Sequence, residues 1–99
     1  MAAELVIAPE AELDIAEAYV WYEGRRTGLG EEFLSSVDAC FERIRRQPGM
    51  YPVVHESYRR SLTRRFPYAV FYEPSEATVT IYAVFHTSRD PDKWRWRLP

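Results

Sequence analysis

Residues 59–72 read Arg-Arg-Ser-Leu-Thr-Arg-Arg-Phe-Pro-Tyr-Ala-Val-Phe-Tyr, and residues 78–85 read Thr-Val-Thr-Ile-Tyr-Ala-Val-Phe. The aromatic and β-branched content of these runs favours strands. The Glu-Pro-Ser-Glu-Ala segment between them fits a hairpin loop. We therefore predict three antiparallel strands, over residues 58–65, 68–72 and 78–85, that carry a concentration of guanidinium groups.

A helix precedes these strands. Five apolar residues recur at the spacing of one helix face: Phe33, Val37, Cys40, Phe41 and Ile44. Acids open this segment and arginines close it, which matches the helix dipole at both ends. The Pro-Gly pair at residues 48–49 should stop the helix.

A second helix is predicted upstream, over residues 9–26. Pro9 suits a first helical turn, and the acids that follow it favour a helix N-terminus. Leu13, Ala16 and Val20 recur at helical spacing, and this apolar row is widened by Ile15, Tyr19 and Tyr22. Residues 27–30 then break the helix, so the two helices should form an antiparallel hairpin.

The whole chain reads as one α+β domain over residues 1–99. Residues 4–7 form a short apolar strand, and residues 50–55 read as a proline-bearing loop. The predicted order is β-α-α-β-β-β plus a tail, with the helix hairpin packed on one face of an antiparallel sheet.

Charge is unevenly distributed along the chain. Residues 1–40 hold nine acids and two bases, whereas residues 41–99 hold six acids and eleven bases, ten of them arginine. Arginine binds carboxylates and phosphates in a bidentate way, so the basic half could meet an acidic partner. Alternatively, each element only complements its own helix dipole and solvated face. No apolar run is long enough to span a membrane, and the single Cys40 fits a reducing cytoplasm.

The arginine pairs are the first candidate functional residues. In a strand, alternation places Arg60 and Arg64 on one face and Arg59 and Arg65 on the other. They could contact an anionic partner, or they could protect a sheet edge from unwanted pairing.

A second candidate group follows the last strand. His86 could transfer a proton and Arg89 could bind a phosphate, although a lone histidine is more often structural. Trp94 and Trp96 alternate with bases in a tail that could stack on a partner or cap the sheet. Trp21 or Tyr22 is expected to pack in the core. We expect no metal site and no cofactor, because close soft ligands and phosphate-binding glycine loops are missing from the sequence.

Five segments, in this order, resemble the RelE/ParE superfamily of bacterial type II toxins. They are residues 14–22, 28–33, 44–48, 60–68 and 86–91. The resemblance implies the fold predicted above and a cognate antitoxin that wraps and neutralises the toxin. An acidic antitoxin segment would suit an arginine-bearing sheet.

The resemblance also implies one of two targets. RelE-like toxins cut mRNA on the ribosome with basic residues and often a C-terminal tyrosine, whereas ParE-like toxins inhibit DNA gyrase. No tyrosine follows Tyr82, and lysine is nearly absent, so we favour a ParE-like toxin. Such a protein is expected to be cytoplasmic and associated with plasmid stabilization. It is not expected to bind specific DNA sequences itself. The expected target-binding residues are Arg60, Arg64, Arg65, Arg89, Trp94 and Trp96.

Two alternatives remain open at this point. The chain could be a ribosome-dependent endoribonuclease, in which case His86, Arg64 and Arg89 are the catalytic candidates. It could also be a non-toxic family member that only binds an antitoxin.

Overall fold

A five-stranded sheet forms the centre of the molecule. The computed structural model describes residues 3–90 and 93–98. The strands lie in the spatial order β1-β5-β4-β3-β2, and their bounds are β1 Glu4–Ile7, β2 Val53–His55, β3 Tyr58–Leu62, β4 Tyr68–Pro74 and β5 Thr78–His86. Neighbours pair antiparallel except β1, which lies parallel to β5. The predicted α+β fold is confirmed, with a mixed sheet because β1 joins the edge in the parallel sense.

A helix hairpin covers one face of this sheet, as predicted. Helix α1 spans Pro9–Arg25 and helix α2 spans Leu29–Arg46. All five predicted core residues of α2 are buried: Phe33, Val37, Cys40, Phe41 and Ile44. Among the described residues, no helix is long and apolar enough to cross a bilayer.

The predicted apolar face of α1 is wrong for its main row, Leu13, Ala16 and Val20, whereas Ile15 and Tyr22 do pack against the core. Leu13 and Val20 are 62% and 69% exposed, whereas Ala11, Ala18 and Tyr22 lie against the sheet. Both rows recur at helical spacing, so periodicity does not distinguish them. The row with alanines packs inward because small side chains allow the helix to approach the sheet closely.

Two strand predictions also need correction. Residues 53–55 form β2, an edge strand that pairs with β3, where a loop was expected. Strand β3 ends at Leu62, three residues earlier than predicted. Arg65 has φ of 73°, which is incompatible with a strand. The alternation argument therefore fails for Arg64 and Arg65, which lie in the turn before β4.

The second face of the sheet has its own apolar cluster, away from the helices. Tyr58, Phe71, Ala83 and Phe85 are buried there. A short 3₁₀ helix, Lys93–Arg97, follows β5 and lies near it. Leu98, the residue after this helix, packs against the cluster. The second face is thus covered partly by its own large side chains and partly by the tail.

Candidate functional site: an arginine surface

Arg60 lies at the centre of a basic surface that extends from the second face of the sheet, along β3, to Arg43 of α2. It lies on β3 opposite Phe71 of β4, whose ring belongs to the cluster on that face. The Arg60 side chain is exposed. It lines two neighbouring hollows, one of about 400 Å³ and one of about 100 Å³. We call Arg43, Arg60, Arg64 and Arg89, which line these hollows, the arginine surface.

The larger hollow combines cations with apolar side chains. Arg43 from α2, Arg60 and Arg64 line it together with Met50 and Leu62. Met50 is 62% exposed and Leu62 is 51% exposed. The hollow lies beside the end of β3 that extends past β2, since β2 pairs only with Tyr58 and Arg59. It can therefore accept a segment that carries both carboxylates and apolar side chains.

His86 and Arg89 meet at the smaller hollow. His86 ends β5, and the following turn is held by a hydrogen bond from the Arg89 N–H to the His86 carbonyl, at 3.0 Å. The Arg89 guanidinium stacks over Phe85, 4.3 Å from the ring centre. This stacking fixes the cation at the surface, where it can contact an anion.

The His86 ring has a defined orientation. Its Nδ1 accepts the Ser88 backbone N–H at 3.0 Å and lies 2.7 Å from the Ser88 hydroxyl. The neutral ring therefore carries its proton on Nε2, and this N–H is a donor. The ring also packs edge-to-face on Tyr68, with the ring centres 5.3 Å apart.

Arg59 and Arg65 lie outside the arginine surface. Arg59 donates to the carbonyl oxygens of Tyr51 and Gly49, at 2.6 and 3.2 Å, and so holds the loop before β2. Arg65 binds Glu32 of α2 at 2.7 Å and lies over the Phe66 ring. Its partners are on the helix side of the sheet, so Arg65 is separated from the other predicted target-binding arginines.

The tryptophans fall into different environments. Trp96 in the 3₁₀ helix is 88% exposed, so it is accessible to a partner. The side chain of Trp94 lies outside the described residues. Of Trp21 and Tyr22, one was expected to pack in the core, and Tyr22 is buried and stacks on Phe33. Trp21 is 54% exposed and carries the Arg25 guanidinium 4.2 Å from its ring centre.

The arrangement is suited to binding anions. Within the described residues, no group of three or more histidine, cysteine, aspartate or glutamate side chains could hold a metal ion. Burial raises the pKa of the Cys40 thiol, so this cysteine is protonated at neutral pH and belongs to the core. The guanidinium groups and the Nε2–H of His86 are donors that could bind carboxylates or phosphates.

Sequence reasoning missed Arg43. Its position near the end of α2 was explained by the helix dipole alone, but its Nη2 donates to the Leu62 carbonyl at 3.4 Å and so reaches the β3 edge. The sequence signal for this contact was the helical spacing between Arg43 and Cys40, which places Arg43 on the face of α2 that meets β3.

The comparisons with known proteins agree with this fold. Residues 5–91 match the family described as the ParE toxin of the type II toxin–antitoxin system parDE. No curated protein matches the chain in sequence. A solved chain of the chromosomal ParDE toxin–antitoxin system from P. aeruginosa is similar in structure, with a TM-score of 0.64 and 15% identity over 86% of this chain and 96% of that chain. This structural likeness supports the fold alone, whereas the family match spans most of the sequence and confirms the predicted resemblance. The chain belongs to the ParE toxin family of type II toxin–antitoxin systems.

Proposed function

We propose that this protein is a cytoplasmic toxin that inhibits DNA gyrase by binding it through the arginine surface. The observation that supports the proposal is the grouping of Arg60, Arg64 and Arg89, all exposed, around two neighbouring hollows that share Arg60. Guanidinium groups on a surface with apolar patches favour a protein partner rich in carboxylates. Trp96 would add an aromatic contact next to this face.

The same surface would serve for neutralisation. An antitoxin segment that alternates acids with apolar residues would place carboxylates on Arg43, Arg60 and Arg64 and side chains against Met50 and Leu62. Complementary charge would speed its docking and fix its register. Because target and antitoxin would share these arginines, binding of one would exclude the other.

A second candidate function is ribosome-dependent cleavage of mRNA. The observation that favours it is that Arg60, His86 and Arg89 line one small hollow. In that case the arginines would stabilise charge on the phosphate, and His86 would be the candidate for proton transfer.

Pulse labelling after induction without antitoxin separates these functions. If the protein inhibits gyrase, incorporation of thymidine falls first while incorporation of amino acids continues. An early collapse of amino-acid incorporation would instead support the nuclease. If neither falls although the folded protein accumulates, the chain is a non-toxic family member and both proposals are wrong.

A further inference from the structure

A cavity on the helix side of the sheet lies where β1 is missing beside β5. Strand β1 ends at Ile7, opposite Ile81, while β5 continues to His86. Helix α1 crosses this gap, and a cavity of about 330 Å³ opens between α1 and the ends of β4 and β5. This volume is at the lower end of the range of small-molecule sites. His86 and Arg89 line both this cavity and the smaller hollow of the arginine surface.

Aromatic rings form much of the cavity wall. Trp21 and Tyr22 come from α1, and Tyr68 comes from β4. Trp21 packs edge-to-face on Tyr22, and the ring centres of Tyr22 and Tyr68 are 6.2 Å apart. Tyr22 also stacks on the buried Phe33, so its position is fixed by the core. A flat ring entering the cavity would meet Tyr22, Tyr68 and the part of the Trp21 ring that the Arg25 guanidinium leaves uncovered.

Polar groups of opposite kinds lie on the two sides of this cavity. The strand side carries His86, whose Nε2–H is a donor, and Arg89. The helix side carries Glu17, whose ionised carboxylate only accepts hydrogen bonds. Asp14 also lines the cavity, but Arg97 already neutralises its carboxylate at 2.8 Å. The cavity therefore offers hydrogen-bond donors on one side, one of them the Arg89 guanidinium, and an acceptor on the other.

We propose that this cavity binds a nucleotide: its base lies against Trp21, its phosphate contacts Arg89 and His86, and an N–H of the base donates to Glu17. The required ligand is flat, anionic at one end and a hydrogen-bond donor at the other. Guanine fits the acceptor well, because it presents adjacent N–H groups to one carboxylate. The nucleotide could be free in solution or belong to a single-stranded nucleic acid. This inference does not depend on the gyrase proposal.

Titration calorimetry with the purified full chain would test the ligand. We expect guanosine 5′-monophosphate to bind more tightly than guanosine, which lacks the phosphate, and more tightly than ribose 5-phosphate, which lacks the base. A single-stranded hexanucleotide that binds more tightly than the mononucleotide would identify nucleic acid as the source, and weaker binding of the hexanucleotide would identify the free nucleotide.

Two variants and one control would test the geometry. Trp21→Ala should weaken binding about tenfold, the size expected for loss of one stacking contact. Trp21 is half exposed, so the variant should fold. Glu17→Gln should reduce the preference for guanine over uracil nucleotides. Leu13→Gln, on the exposed row of α1, should leave binding unchanged.

The proposal would be overturned by any of three results. The nucleotide could fail to bind the folded protein. Ribose 5-phosphate could bind as tightly as the nucleotide, which would indicate a simple anion site. Trp21→Ala could bind as tightly as the unmodified chain, which would place the ligand elsewhere. A chain that is non-toxic but binds the nucleotide would separate this inference from the proposed function.

Discussion

Arg97 binds Asp14 through both of its terminal nitrogens, at 2.8 and 3.0 Å, across 83 residues of sequence. The Asp14 side chain is only 7% exposed, and it also accepts the backbone N–H of Val84 at 3.0 Å. One carboxylate therefore joins α1, β5 and the 3₁₀ helix. Because β1 ends before Val84, this N–H would otherwise have no strand neighbour.

Removal of Arg97 should be costly. In Arg97→Met the Asp14 carboxylate stays buried without its counter-charge, so we expect the free energy of unfolding to fall by about 3 kcal/mol. Urea denaturation measures this loss. The control is Glu42→Ala, which breaks the more exposed pair with Arg45 and should cost less than about 1 kcal/mol. Equal losses in the two variants would show that the buried pair has no special role.

Alkaline pH should destabilise the protein, in part through Tyr72. Burial raises the pKa of Tyr72 to about 12 from its usual value of 10.0. The folded chain holds this proton more tightly than the unfolded chain, so the stabilisation is complete below pH 10 and is lost as the pH rises through 12. The free energy of unfolding should fall by about 2–3 kcal/mol. Urea denaturation at several pH values measures this change.

The Tyr72→Phe variant isolates this effect. It removes the hydrogen bond from the Tyr72 hydroxyl to the Pro48 carbonyl, 2.7 Å long, and should cost about 1 kcal/mol at neutral pH. Its stability should then fall less steeply between pH 10 and 12. An unchanged slope would assign the alkaline transition to other groups.

The two sides of the helix hairpin should respond differently to truncation. Ile44 is fully buried, so Ile44→Ala should cost about 2–5 kcal/mol. Leu13 is 62% exposed, so Leu13→Ala should change the stability by less than about 0.5 kcal/mol. Thermal unfolding of both variants measures the difference. A large loss of stability in Leu13→Ala would show that the outer row of α1 belongs to the core after all.

Charge reversal on the arginine surface should abolish toxicity. Arg60→Glu and Arg64→Glu would repel an acidic partner, and both positions are exposed, so the fold should survive. Colony counts after induction measure toxicity, and circular dichroism checks the fold. The control is Arg46→Glu at the end of α2, which is exposed but lines neither hollow. Full toxicity of the folded double variant would exclude the surface as the target site.

The sequence predicted the buried helix faces best where the apolar periodicity allowed only one interpretation. Helix α2 has a single apolar row, and all of it is buried. Helix α1 has two such rows, and the inner row contains Asp14, which from sequence alone is an ordinary acid of the first helical turns. Its partners Val84 and Arg97 are too distant in sequence to be inferred from local patterns.

The candidate site was only partly predictable. Arg60, His86 and Arg89 do meet, because β3, β4 and β5 are consecutive in the sheet. Arg65 was assigned to the target-binding set, but its left-handed backbone turns it toward Glu32. A strand that ends three residues early changes which side chains share a face, and strand ends depend on tertiary pairing more than on composition.

The parallel pairing of β1 with β5 also determines when the sheet can form during synthesis. Glu4 pairs with Thr78, so the first strand emerges from the ribosome long before its neighbour exists. Contacts between distant residues form late, because the intervening chain must first be ordered. His86 and Arg89 follow Thr78 in the sequence. A nascent chain therefore has no finished arginine surface until Arg89 has been synthesised, which would leave a partner that recognises this surface nothing to bind before then.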